Sequence, residues 1–136
     1  MTQRFNLTAN KLIQLDSDSK VSVLKRKVEK FRNERDWQKF HNAKDLSIAL
    51  SIEASELEEI FLWKSGEEVS RLLLDKHQLE RVREEVADIG IYLLSLSSAL
   101  NIDLSDAIMK KLAQNALKYP IEKSKGSSKK YTELKP

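Results

Sequence analysis

Cysteine is absent from this chain, and glycine and proline are scarce, with 3 and 2 residues respectively among 136. The lack of cysteine excludes disulfides and thiolate metal sites. So little glycine and proline, beside an ordinary apolar fraction of 40%, favours helices over a sheet. The length suits one domain with a hydrophobic core.

Long apolar runs are lacking as well. No run reaches the roughly 18 residues of a membrane span, and no N-terminal apolar stretch is fit for a signal peptide. We therefore expect a cytoplasmic protein that does not enter a membrane. The two histidines, His41 and His77, do not follow an acidic residue by three positions, which argues against a di-iron bundle with Glu-x-x-His motifs.

The net charge of +3 conceals a segregation of charge along the chain. Residues 42–100 hold 12 acidic against 6 basic residues, whereas residues 1–41 hold 5 against 10 and residues 101–136 hold 4 against 8. An acidic centre between basic arms suits a metal ion bound together with a polyanion. A solvated surface with accidental segregation is the alternative. The acidic centre argues against binding to a nucleic acid polymer.

Apolar periodicity predicts an all-α fold, a four-helix bundle with helices at about 19–40, 45–64, 79–100 and 103–118. Residues 1–18 are expected to form a flexible arm and residues 121–136 a basic tail. We expect Asn42 or Asp45 to cap the second helix, Gly66 to end it and Asp103 to cap the fourth. The third helix is apolar nearly all round from Ile89 to Leu100, which is typical of a helix that packs against another subunit. We therefore expect a homodimer or homotetramer.

Two acidic pairs stand out within these helices. Glu53 falls in the apolar stripe of the second helix and Glu56 on its flank, while Glu85 and Asp88 repeat the same i, i+3 spacing on the third. A buried carboxylate costs several kcal/mol unless it is neutralised. If the helices pack antiparallel, four carboxylates converge, and all-oxygen ligation favours Mg²⁺, with Mn²⁺ as a possible substitute. Pairing of Glu53 with a buried lysine or arginine is the alternative.

A magnesium site of this kind fits phosphate chemistry, because Mg²⁺ usually binds substrate phosphates as well as protein. The chain has no glycine-rich phosphate loop, so metal and basic side chains would have to hold the phosphates. A water polarised by metal and a carboxylate, Glu56 or else its neighbour Glu53, would attack phosphorus. The alternative is a non-catalytic helical module for nucleotide binding or oligomerisation.

Several separated motifs give the chain a family resemblance. They occur in the order FRNERDWQKFH, E-x-x-E, FLWKSGEE, EEVADIGIYL, NALKYP and SSKKYTEL, over residues 24–134. In these motifs the chain resembles the MazG-like all-α NTP pyrophosphohydrolases, most closely their dCTP pyrophosphatase branch. The resemblance implies an oligomeric helical bundle, residues 19–120 as its domain, and Mg²⁺-dependent hydrolysis of a (d)NTP to (d)NMP and diphosphate. It also implies a preference for dCTP or a modified dCTP, in nucleotide-pool sanitation.

The resemblance also implies roles for individual residues. The metal positions are Glu53, Glu56, Glu85 and Asp88. Among the substrate positions, Trp37 and His41 would contact the base, and Trp63 would form a further wall. Tyr92 and Asp88 would contact the nucleotide, and Lys111 and Asn115 would hold sugar or phosphates. The C-terminal motif adds Lys118, Tyr119, Lys130 and Tyr131, by which the tail would contribute to the active site. Read without the family, Trp37 and Trp63 are more often core residues, and His41 is more often a cap or surface residue.

The chain departs from the family pattern at two points. Ala116 and Leu117 stand where the family often has arginines, and Val28 stands near an expected polar residue. These departures concern the phosphate contacts and the base preference. They leave the four carboxylates unchanged.

Overall fold

The computed structural model describes residues 15–134, and all regular structure within that range is helical. In chain order the helices are α1 (Leu15–Asp18), α2 (Val21–Asn33), α3 (Ala43–Phe61), α4 (Gly66–Leu72), α5 (Lys76–Ala99), α6 (Leu104–Lys118) and α7 (Ile121–Ser124). Two 3-10 turns, Gln38–Phe40 and Tyr131–Glu133, complete the set. The predicted all-α class is confirmed.

Side-chain caps set the N-termini of the helices that matter most for the site. Asn42 accepts a hydrogen bond from the Asp45 backbone N–H at 2.9 Å and so begins α3. Asp75 does the same for α5 and Asp103 for α6, at 2.9 and 3.0 Å. Asn42, rather than Asp45, is therefore the N-cap of α3. The caps satisfy backbone donors that have no partner within the helix.

Two predicted helix ends are wrong. The first predicted helix ran to about residue 40, but α2 stops at Asn33 because the chain turns at Asp36, whose φ is 53°. The second was to end at Gly66 in a left-handed conformation. Instead α3 ends at Phe61, and Trp63 takes the left-handed conformation with a φ of 61°. Gly66 opens α4, because Ser65 and Glu68 form a reciprocal capping box there.

Helices α3 and α5 share the most extensive contact, and α2 packs on α5. The Lys25 Nζ donates to the Ile102 carbonyl at 2.9 Å, while Glu29, one turn later on α2, shares a crevice with Ser98. Increasing numbers on α2 therefore meet decreasing numbers on α5, so the two helices run antiparallel. The fully buried apolar side chains of the described residues are few: Leu46 is 1% exposed and Ile60 5%.

Helix α6 stands apart from this packed unit. It leaves α5 at an angle of 100° and makes only sparse contacts with the other described helices. Its apolar side chains are exposed, and so are several on α5. They are Ile108, Met109, Leu112 and Leu117 on α6, and Val86, Ile91 and Leu93 on α5.

The C-terminal segment turns back onto the end of α6. The rings of Tyr119 and Tyr131 meet edge to face, 6.0 Å apart, and the Lys118 ammonium lies 5.0 Å from the centre of the Tyr131 ring. Residues 135 and 136 of the predicted tail lie outside the described residues, as do residues 1–14 of the predicted arm. Within residues 15–134 no single helix is long and apolar enough to cross a membrane, although α5 and α6 together pass that test as a bent pair.

Candidate functional site

Three of the four predicted metal-binding carboxylates come together between α3 and α5. Glu53, Glu56 and Glu85 each offer an oxygen, and these oxygens lie within 4.8 Å of one another. Glu53 and Glu85 are half-buried, whereas Glu56 is exposed. The i, i+3 spacing places Glu53 and Glu56 on one face of α3, and the α3–α5 packing brings Glu85 opposite them.

Asp88 lies beside this cluster but does not come within 4.8 Å of all three oxygens. Burial raises the pKa of Glu53, and the charges of Glu56, Asp88 and Glu85 raise it further, in that order. Asp88 is therefore close enough to act on Glu53 electrostatically. All four carboxylates therefore interact electrostatically, and Glu53, Glu56 and Glu85 form the compact set.

Among residues 15–134, no lysine or arginine forms an ion pair with the cluster. Every ion pair closer than 4.0 Å within residues 15–134 involves other acids: Glu34, Asp36, Asp45, Glu80 and Asp106. Like charges this close disfavour ionisation of one another, and a bound dication relieves that repulsion. An all-oxygen donor set on two helices fits a hard divalent cation better than a thiol- or imidazole-seeking one.

A cluster of aromatic rings forms where α2 ends. The Phe31 and Trp37 rings meet edge to face at 5.9 Å, and the His41 ring lies 6.3 Å from that of Trp37. The turn at Asp36 folds Trp37 back, so that its backbone N–H donates to the Arg32 carbonyl at 3.2 Å. Trp37 remains 43% exposed.

His41 is held neutral within this cluster. Burial lowers its pKa, and the nearby Arg32 guanidinium lowers it further. Its Nδ1 is buried and has no hydrogen-bond partner among the described residues. Trp37 and His41 thus form a wall that carries no charge of its own.

The remaining predicted site residues are more scattered. Trp63 is 93% exposed just after α3 and meets no other ring within the described part of the chain. Tyr92 is half-buried on α5, one turn beyond Asp88. Lys111 and Asn115 sit on α6, which has no extensive contact with α3 or α5, and Lys118 and Lys130 flank the Tyr119–Tyr131 pair. One chain therefore does not gather all of them at the carboxylates.

Sequence reasoning passed over Arg32. Its spacing of four from Val28 and seven from Lys25 places it on the packed side of α2, and all three are half-buried. That spacing indicates that Arg32 faces the packed side of α2. The sequence alone gives no reason to select it, because it is one basic residue within a polar-aromatic tract. A cavity of about 580 Å³ lies elsewhere, between the starts of α2 and α6, and is lined by Lys20, Lys25 and Asp103 among others.

The fold and the carboxylates thus define an all-α protein with a site suited to a divalent cation. Comparison with known proteins narrows this class. The model of the MazG-like family matches residues 48–134. Because that match covers more than half of the chain, the chain belongs to the MazG-like family.

Relatives agree with this assignment. A dCTP pyrophosphatase 1 from Bos taurus is 35% identical over 127 residues, which is 93% of this chain and 75% of the relative. A dCTP pyrophosphatase 1 from Homo sapiens is 38% identical over 104 residues, 76% of this chain and 61% of the relative. The crystal structure of a pyrophosphatase from Archaeoglobus fulgidus superimposes with a TM-score of 0.68 at 38% identity, covering 73% of this chain and 91% of that one.

Proposed function

We propose that this chain is a Mg²⁺-dependent nucleoside triphosphate pyrophosphohydrolase that converts a (d)NTP and water to a (d)NMP and diphosphate, with dCTP or a modified dCTP preferred. The observation that carries this proposal is the convergence of Glu53, Glu56 and Glu85, which have no ion pair with a lysine or arginine of residues 15–134. The names and similarity of the relatives support the reaction and the dCTP preference.

The carboxylates would divide the work of this reaction. Glu53, Glu56 and Glu85 would hold the cation, with Asp88 adjoining them. When bound, Mg²⁺ supplies neutralisation of triphosphate charge and polarisation of water. Glu56 is exposed and accepts the proton of the attacking water. The water oxygen bonds to the α-phosphorus, the bond from that phosphorus to the bridging oxygen breaks, and diphosphate leaves with the bonding electrons.

The aromatic cluster receives the base. Trp37, which is 43% exposed, would stack on the base, and the His41 imidazole beside it would form a second wall. Tyr92 lies one helical turn beyond Asp88 and is placed to contact the nucleotide between base and metal. Lys111, Asn115, Lys118 and Lys130 would hold sugar or phosphates, and Trp63 would add a further wall.

These last residues require more than one chain. Helix α6 has only sparse contacts with the other described helices, Trp63 is 93% exposed, and apolar side chains of α5 and α6 are exposed. Exposed apolar helix faces of this kind favour self-association. We propose a homodimer or homotetramer in which α6 packs against another copy.

The test is product identification with dCTP, dUTP, dTTP, dATP and dGTP in the presence of Mg²⁺ or a chelator. We expect dCMP and diphosphate, no turnover with chelator, and loss of turnover in Glu53→Gln. Glu58→Gln is the matched control, because Glu58 is exposed on the same helix and belongs to no ion pair or cluster. Activity in Glu53→Gln, or a wild type that hydrolyses no nucleotide, would reject the proposal, and nucleotide binding without turnover would favour the non-catalytic module.

A further inference from the structure

Two arginines at the end of α2 differ sharply in how their side chains are used. The Arg35 guanidinium lies 3.6 Å from the Phe31 ring centre, donates to the Phe31 carbonyl at 2.8 Å and is 3.8 Å from the Glu34 carboxylate. Arg32 donates only its Nε, to Asn33 Oδ1 at 3.2 Å. Its two terminal amino groups have no hydrogen-bond or carboxylate partner within residues 15–134.

Arg32 is nevertheless half-buried, on the side of α2 that packs against the rest of the protein. A guanidinium removed from water usually has a carboxylate, phosphate or carbonyl partner, because its five donors otherwise lose hydrogen bonds. His41 is its neighbour here, because the Arg32 charge lowers the pKa of His41, and the His41 ring lies 6.3 Å from that of Trp37. The terminal N–H groups of Arg32 are thus donors beside this aromatic cluster that have no partner within residues 15–134.

The level of Arg32 along the bundle suits a base contact. Because α2 and α5 run antiparallel and Lys25 meets Ile102, Arg32 lies about 10 Å further along α2, opposite the turn of α5 near Ser95. Asp88 is about 10 Å beyond that level, again at 1.5 Å per residue. A separation of this order matches the length of a nucleoside between its base and its α-phosphate.

We propose that Arg32 reads the base edge of the nucleotide, donating two parallel hydrogen bonds to the acceptors O2 and N3 of cytosine. This inference rests on the proposed function. Uracil presents an N–H at position 3, so one donor of the guanidinium would face another donor. A site built to satisfy a particular set of donors and acceptors rejects the analogue that leaves one unpaired. Arg32 is in this sense a specificity-determining residue for dCTP over dUTP.

The experiment compares kcat/KM for dCTP and dUTP, which share sugar and triphosphate, in wild type, Arg32→Gln and Arg32→Lys. A bidentate base contact is worth about 5- to 150-fold in discrimination. We expect Arg32→Gln to reduce the dCTP preference within that range, mainly by weakening dCTP. Arg32→Lys should also lose most of the preference, because an ammonium keeps the charge without the planar fork.

Arg26→Gln is the matched control, since Arg26 is exposed on the same helix and has no partner among the described residues. It should leave the preference unchanged. Equilibrium binding of dCMP against dUMP gives a second reading that does not depend on turnover. Thermal unfolding of each variant reports whether it is folded.

The outcomes separate the two proposals. A wild type inert on every nucleotide rejects the proposed function itself. An active wild type without a dCTP preference, or an Arg32→Gln variant in which dCTP and dUTP decline equally, overturns the role of Arg32 and leaves the reaction standing. An equal decline would mean that Arg32 contacts phosphate or supports the fold.

Discussion

The packed helices α3 and α5 and the helix α6 each have an apolar side, yet these apolar sides have different surroundings. Between α3 and α5, Leu46 and Ile60 are buried and three carboxylate oxygens converge within 4.8 Å. On α6, Met109 is 67% exposed and Leu117 83%. The first region brings acidic side chains together, whereas the second leaves its apolar side chains uncovered by the other described helices.

The two regions of this chain therefore differ in the contacts that hold their side chains in place. The carboxylate cluster lies within residues 53–88 and is assembled by intrachain packing. The residues predicted to act from α6 lie on a helix that has only sparse contacts with the other described helices. The effects of substitutions in the first region should therefore depend on metal, and the effects of substitutions on α6 should depend on protein concentration.

The largest effect is expected in the first region. Leu46→Ala should lower the free energy of unfolding by about 2–5 kcal/mol, because it leaves a cavity at the most buried side chain. Urea unfolding at several protein concentrations measures this, and the loss should be the same at each. Leu50→Ala, one turn later and half-buried, should cost less. A larger loss at Leu50 would contradict the packing of α3 described here.

In the second region, Leu112→Glu should weaken self-association by about a hundred-fold, because it places a charge on the apolar side of α6. Analytical ultracentrifugation measures the dissociation constant. Gln114→Glu is the control, since residue 114 is exposed nearly opposite residue 112 around the helix. If both variants assemble like the wild type, α6 is not the interface.

Metal should stabilise the first region in a pH-dependent way. Because the pKa of Glu53 is raised above its ordinary 4.5, its contribution to stability is fully present below pH 4.5. That contribution is lost as the pH rises through the pKa in the folded protein. Mg²⁺ binds the deprotonated carboxylates, so it should restore stability at neutral pH and not in acid.

Thermal unfolding with Mg²⁺ and with chelator, at about pH 4 and about pH 7.5, checks this. At ten times its Kd, the ion should add about 1.4 kcal/mol at the higher pH and almost nothing at the lower. In Glu53→Gln the chelator-treated protein should be more stable at neutral pH than the wild type. Equal effects of Mg²⁺ at both pH values would contradict a carboxylate site.

The smallest effect is expected at Gly90, in the interior of α5. A Cβ added there would meet no heavy atom within 4 Å in a single chain. Gly90→Ala should therefore raise the free energy of unfolding by about 0.5–1 kcal/mol through reduced backbone freedom. Chemical denaturation measures it. A loss of stability instead would place a close helix–helix contact between copies at this position.

Much of the fold could be predicted from periodicity. Apolar spacing located the long helices and the caps Asn42 and Asp103, because both follow from local rules of helix geometry. The end of α2 and the role of Gly66 could not be read in the same way. The left-handed residues there are Asp36 and Trp63. Aspartate is common in turns but also occurs within helices, and tryptophan gives no turn signal.

The site was predictable to the extent that it repeats along helices. The i, i+3 spacing of Glu53 with Glu56, and of Glu85 with Asp88, was visible, and the packing of α3 on α5 brings Glu53, Glu56 and Glu85 together. The sequence did not single out Arg32, because its unpaired donors depend on the Arg35–Glu34 ion pair that forms in three dimensions. The predicted roles of Trp63, Lys111 and Lys130 remain predictions.

Anomalous diffraction from crystals grown with Mn²⁺, the expected substitute for Mg²⁺, tests the central claim most directly. We predict a peak between α3 and α5 at about 2.0–2.3 Å from carboxylate oxygens of Glu53, Glu56 and Glu85, with Asp88 adjoining, and no peak there in Glu53→Gln crystals. A peak at another site alone, or none at all with Mn²⁺ in excess, would contradict a metal centre built by these two helices.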